Sequence, residues 1–136
     1  MNINVKVKNS KDVNDIEFQT NGNSHTISIP SKPSGYGSDV NGGELLFLAL
    51  AVCFCNDIYR EAAKKDIKIN NVEVEVNGKF DKEGEAASNI TYSVKVEGDA
   101  SEQQLTDLVK HTDTVTEIQN TLRQGVNVSL LSIKVV

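Results

Sequence analysis

A chain of 136 residues fits one domain, and roughly two-thirds of its unfolded surface can be buried in a core that needs no disulfides. The net charge of −5, with lysines scattered rather than striped, excludes a nucleic-acid surface. The two cysteines lie two positions apart, so no disulfide framework is available, and the expected compartment is the cytoplasm with both thiols reduced.

The N-terminal Met1-Asn2-Ile3-Asn4-Val5 alternates and lacks the basic start and apolar run of a signal peptide. Ile3, Val5 and Val7, then Ile16 and Phe18, then Ile27 and Ile29 alternate with polar residues, which predicts an antiparallel meander over the first thirty residues. Asn21-Gly22-Asn23 supplies a hairpin turn, because Asn and Gly tolerate positive φ. Residues 31–43, with four glycines, three serines and a proline, form a loop long enough to suspect a role beyond connection.

From Glu44 the pattern becomes helical. Leu45 to Val52 is apolar throughout, so the first turns have no solvent face, and the helix is expected to be buried by wrapping strands or by a partner subunit. The apolar run Leu45–Cys55 is shorter than the ~20 residues a bilayer requires, so no membrane is expected. Beyond Asn56 the helix turns amphipathic and leaves near Lys65-Asp66, where positive charge complements the helix dipole.

Two strands follow, over 67–80 and 87–96, with Val72, Val74 and Val76 and then Ile90, Tyr92, Val94 and Val96 in alternation; Asp81–Glu85 is their turn. Ser101 with Gln104 reads as a capping box before a helix striped by Leu105, Leu108 and Val109. That helix breaks near Asp113, resumes over Thr116–Arg123 and stops at Gly125; a last strand is predicted over Val126–Val136. Strands in hairpins rather than alternating singly with helices predict an α+β fold.

The segment Gly42–Asp57 (GGELLFLALAVCFCND) resembles the central helix of the OsmC/Ohr family. Glu44, Leu45, Leu46, Ala49, Leu50, Cys53 and Asp57 stand at positions of the general OsmC-like pattern. The Gly-containing loop before it, the run Ile67–Gly78 after it, and Asn120-Thr121-Leu122 with Gly125-Val126 also match, so the resemblance spans nearly the whole chain. It implies an OsmC-like fold, with antiparallel sheets around a long buried central helix in an intertwined homodimer. It also implies reduction of organic hydroperoxides by a helix thiol, here Cys53, which becomes a sulfenic acid, condenses with a second cysteine and is reset by an external dithiol.

The chain departs from the peroxidase pattern in three places. The second cysteine falls at Thr116, followed by Glu117 where the family has Pro; no arginine precedes Leu45; and the glutamate that orients that arginine falls at Gly43, while Glu44 fits the broader OsmC-like pattern. The chain therefore resembles the general OsmC-like subgroup more than a two-cysteine peroxidase.

Cys53 lies about nine residues into its helix, beyond the first turn where that helix's own dipole acts, and burial would raise its pKa. A working redox thiol and an inert core thiol both fit. Cys55 is either a substitute resolving thiol or another core thiol; positions i and i+2 point ~200° apart on a helix, which also makes Cys-x-Cys a poor metal chelate. Glu44 serves the helix start or catalysis. Tyr36, between Gly35 and Gly37, lines a pocket or simply packs, and that Gly-x-Gly is no phosphate motif. Asp57 and Arg60 at i, i+3 are expected to pair, and His25 and His111 sit in no ligand motif. No cofactor or metal is expected. Two functions follow: a hydroperoxide reductase using Cys53 and an external thiol, or a lapsed dimer that binds a small apolar molecule or has a structural role.

Overall fold

A computed structural model describes all residues, Met1–Val136. The element order is β1 (Ile3–Ser10), β2 (Val13–Thr20), β3 (Asn23–Ser28), α1 (Gly42–Ala63), β4 (Ile69–Lys79), β5 (Ser88–Gly98), α2 (Glu102–Val115) and α3 (Glu117–Gln124). The chain divides into two compact units, Met1–Leu45 and Leu46–Val136, each with its own antiparallel sheet.

In the first unit β1, β2 and β3 form the expected meander. Thr20 pairs with Asn23 across Asn21-Gly22, whose φ values of 49° and 84° are those the two-residue turn needs. Ser10 pairs with Val13 across a second tight turn at Lys11-Asp12, with Asp12 at φ 59°. The Gly-rich loop returns onto that turn, where the Asp12 N–H donates to the Gly35 carbonyl at 2.7 Å.

In the second unit β4 and β5 form a hairpin in which Val72 faces Val96, Val74 faces Val94 and Val76 faces Tyr92. Val72, Val74, Tyr92, Val94 and Val96 pack against a core of Phe54, Ile58 and Ala62 from α1 and Leu108 from α2. Spaced i, i+4, i+8, the three α1 residues form one stripe, and each fully buried large side chain is worth about 1.5–3 kcal/mol. Tyr92 caps the cluster by packing its ring on Phe54 at 5.5 Å between centroids. Its hydroxyl donates to Asp113, which also pairs with Arg123 at 2.6 Å. The capping box of α2 forms as expected, with Ser101 and Gln104 satisfying each other's amides. The break between α2 and α3 falls at Thr116, and Gly125 ends α3 in the left-handed conformation, φ 61°.

Within this one chain α1 is covered along one face, at Leu50, Phe54, Asp57, Ile58, Glu61 and Ala62, while Leu48 is 54 % and Val52 47 % exposed. The whole 22-residue helix reaches a mean hydropathy of 1.4 in its most apolar window, which by length and composition would span a bilayer. Its buried carboxylates Asp57 and Glu61, on the face shared with Phe54 and Ile58, mark it instead as the core helix of a fold. One sequence expectation is corrected: Val126–Val136 is not a strand, and Val128, Leu130, Leu131 and Ile133 are exposed. A strand exists only where another strand takes its N–H and C=O groups, and alternation in the sequence cannot supply that neighbour.

A thiol between two helices as candidate functional site

Cys53 is half-buried on α1, and its surroundings come from α1 and α3 together. One turn on, Asp57 presents Oδ2 to the sulfur at 3.5 Å, so the S–H donates to it. From α3, Glu117 brings Oε2 to 4.0 Å of the same sulfur. Arg60, one turn beyond Asp57, closes the cluster, with Nη1 2.9 Å from Asp57 Oδ1 and 3.5 Å from Glu117 Oε1. The expected Asp57–Arg60 pair is therefore present, and it belongs to the thiol's surroundings.

The entry of α3 faces the thiol. Thr116, at its N-cap, spends its hydroxyl on the Asp113 carbonyl at 3.2 Å and leaves the first amides of α3 without a side-chain cap. The backbone N–H of Ile118, in the first turn of α3, pulls the Cys53 pKa down. Gln119 holds α3 in place by donating from Nε2 to the Leu50 carbonyl at 3.0 Å. Both residues are buried.

These groups pull the thiol in opposite directions. Burial pushes the Cys53 pKa up, the Ile118 N–H pulls it down, and the Asp57 and Glu117 carboxylates push it up again; the net direction is upward. Asp57 is itself raised, by burial first and then by Glu117, against the pull of Arg60. Glu117 is lowered, by its own backbone N–H first, with help from Asp57 and Arg60. In the reduced protein Cys53 is therefore a neutral thiol hydrogen-bonded to a carboxylate.

Cys53 Sγ and the Asp57 and Glu117 oxygens lie within 4.8 Å of one another, close enough to share a cation, and no sequence motif announced them. Arg60 already supplies the positive charge to both carboxylates. Beside this cluster, Glu61 is buried and held by Arg60 at 2.9 Å, Lys64 at 2.8 Å and His111 at 3.0 Å, so His111 is a hydrogen-bond partner of Glu61.

The other sequence candidates lie elsewhere. Glu44 is the third residue of a reciprocal cap on α1: its N–H donates to Asn41 Oδ1 at 2.9 Å and its Oε2 accepts from the Asn41 N–H at 2.8 Å. Cys55 is a second free thiol, raised by burial, on a different side of α1 from Cys53. Tyr36 is exposed in the first unit, and His25 stacks on Phe18 at 5.6 Å. Thr116, where the resemblance places the second cysteine, is fully buried. Sequence reading missed Glu117, Ile118 and Arg60 as partners of the thiol. Only Arg60 left a signal, as an i, i+3 partner of Asp57.

A helix-borne thiol beside the start of a second helix, in an α+β frame of antiparallel sheets, is the setting of the site. The chain belongs to the OsmC-like protein family, whose model matches residues 35–131. Solved structures share the fold at low identity. The OsmC-like protein of Mycoplasma pneumoniae is 16 % identical, covering 88 % of this chain and 87 % of its own, with a TM-score of 0.62. The organic hydroperoxide resistance protein of Bacillus subtilis is 17 % identical over 90 % of this chain and 91 % of its own, with a TM-score of 0.55. That of Legionella pneumophila is 19 % identical over 90 % of both chains, with a TM-score of 0.53. No curated protein matches the chain by sequence.

Proposed function

We propose that the chain is a one-cysteine hydroperoxide reductase of the cytoplasm, with Cys53 as the reacting thiol and an external thiol as reductant. The observation that carries this is the position of Cys53, half-exposed, hydrogen-bonded to Asp57 and approached from α3 by Glu117. The sulfur attacks the terminal peroxide oxygen, the O–O bond breaks, and the products are a Cys53 sulfenic acid and an alcohol. Two equivalents of external thiol then return the sulfenic acid to the thiol, giving their disulfide and water. The names of structural neighbours as hydroperoxide resistance proteins favour the same substrate class.

The test is consumption of cumene hydroperoxide by the reduced protein beside Cys53→Ser, with sulfenic acid trapped and located by mass spectrometry. Loss of consumption in Cys53→Ser supports the reading, and an unchanged rate overturns it.

The working form we propose is a homodimer. The exposed apolar residues Leu48 and Val52 of α1 are the kind of surface that such an interface would cover. A monomer mass in sedimentation at micromolar concentration would refute it. A second reading is a non-catalytic dimer that binds an apolar small molecule. An open groove of about 590 Å³ between β5 and α2, lined by Val94, Val96, Leu105 and Val109, favours that reading. Thermal-shift screening without any stabilising ligand would count against it.

A further inference from the structure

Asp57 and Glu117 divide their oxygens in the same way. Each carboxylate gives one oxygen to Arg60, Oδ1 at 2.9 Å and Oε1 at 3.5 Å, and turns the other to the Cys53 sulfur, Oδ2 at 3.5 Å and Oε2 at 4.0 Å. The Asp57 side chain is 8 % exposed, whereas that of Glu117 is 65 % exposed. The cluster thus runs from a nearly buried carboxylate in hydrogen-bond contact with the thiol to a solvated one. It has a single cation shared between them.

This arrangement suits a proton in transit better than a standing thiolate. A resident thiolate beside two carboxylates would be repelled by both, with one arginine already committed to them. A neutral thiol has the opposite requirement: its proton must leave as the sulfur attacks, and the departing alkoxide, a strong base, must gain one. Resting on the hydroperoxide reductase reading, we propose that Asp57 takes the Cys53 S–H proton through Oδ2 and returns it to the leaving alkoxide, with Arg60 and Glu117 as positioning residues.

The step balances. The sulfur lone pair forms the S–O bond to the terminal peroxide oxygen, and the O–O electron pair leaves with the alkoxide. The thiol proton passes to Asp57 and on to the alkoxide, giving Cys53–S–OH and ROH with the carboxylate restored. Sulfur is oxidised by two electrons and the peroxide is reduced by two. Arg60 holds Oδ1 throughout, so the rotamer that aims Oδ2 at the sulfur is kept while the proton moves.

The two roles open to Asp57 predict opposite signs in one variant. Asp57→Asn keeps the shape, removes the base and removes a negative charge beside the sulfur. Alkylation of Cys53 by iodoacetamide, which expels iodide and needs no proton donor, should accelerate at fixed pH once that charge is gone. Sulfenic acid formation with cumene hydroperoxide should fall about a hundredfold in the same protein, the low end of acid–base contributions. Mass spectrometry with fragmentation assigns both adducts to Cys53 rather than Cys55.

Peroxide and alkylation rates that rise together in Asp57→Asn would overturn the relay, leaving Asp57 as a repelling charge only. Should Asp57→Asn not fold, the exposed Glu117→Gln carries the same test: alkylation up and peroxide rate down is expected, and both up overturns the relay. Wild-type protein that consumes no peroxide through Cys53 would instead overturn the reductase reading itself, and the relay with it.

Discussion

Gln119 Nε2 donates to the Leu50 carbonyl across 3.0 Å, and this buried contact fixes where α3 meets α1. The next residue back is Ile118, whose backbone N–H lowers the Cys53 pKa, so the side chain that anchors α3 also holds the amide that acts on the thiol. Removing the anchor should be felt in both stability and reactivity.

Gln119→Ala loses a buried hydrogen bond, and stability should fall by about 1–3 kcal/mol in denaturant unfolding. With α3 no longer held, the one backbone donor that lowers the Cys53 pKa is released, and the thiol should titrate still higher. Iodoacetamide rates against pH under native conditions would show the alkylation curve displaced to higher pH. An undisplaced curve would mean that Ile118 keeps its place without Gln119.

Acid should destabilise the protein through Glu61. The hydrogen bonds from Lys64, Arg60 and His111 lower its pKa from 4.5 to about 2. A lowered carboxyl contributes stability that is fully present above the unfolded value and lost as pH falls through the folded one. The loss therefore falls between pH 4.5 and about 2. Asp57, raised by burial, has the opposite sign: its contribution is present below the unfolded value of 3.8 and is lost as pH rises through the folded one. Glu61→Gln should be less stable than wild type at pH 7 and lose less on acidification over that interval, as read from unfolding midpoints at several pH values. An unaltered acid limb would show that this network does not set it.

A methyl group has no room at Gly98. A Cβ there would meet the Lys68 carbonyl oxygen at 2.7 Å and Leu105 Cδ2 at 3.1 Å, and a backbone oxygen cannot swing aside as a side chain can. Gly98→Ala should cost about 1–3 kcal/mol, as overpacking does, and lower Tm by several degrees. A wild-type Tm would mean that the β4 entry yields at no cost.

Cys55 should not resolve oxidised Cys53 within the same helix. Positions i and i+2 diverge around α1, and both sulfurs are free. Peroxide-treated protein should therefore gain one oxygen on Cys53 and show no intrahelical disulfide by peptide mass spectrometry. A loss of two hydrogens spanning Cys53 and Cys55 would show that α1 unwinds there.

What the sequence made legible was local. Alternation in the first thirty residues, the Asn21-Gly22 turn, the Ser101/Gln104 capping box and the Gly125 stop each depend on a few adjacent side chains, and each appears in the structure. One misreading came from treating local pattern as tertiary fact: alternation in Val126–Val136 marks a strand without supplying its neighbour. The apolar run on α1 marks it as wanting cover without saying what supplies it. The thiol's partners were out of reach for a different reason: Glu117 is 64 positions from Cys53, and an N–H donor such as that of Ile118 carries no residue signature at all. Arg60 stood close enough to be paired with Asp57, yet only the arrival of α3 makes that pair part of a thiol site.

The Tyr92–Asp113 contact gives the protein a built-in optical probe. The chain has no tryptophan and three tyrosines, and of these Tyr36 and Tyr59 face solvent while Tyr92 packs on Phe54 with its phenol bound to a carboxylate. A phenol hydrogen-bonded to a carboxylate loses much of its emission, so Tyr92 should be dim in the folded state and brighten when α2 parts from β5. Because Phe54 sits next to Cys53 in the chain, a rise in ultraviolet fluorescence during peroxide treatment would report loosening around the oxidised sulfur in real time, with no label attached.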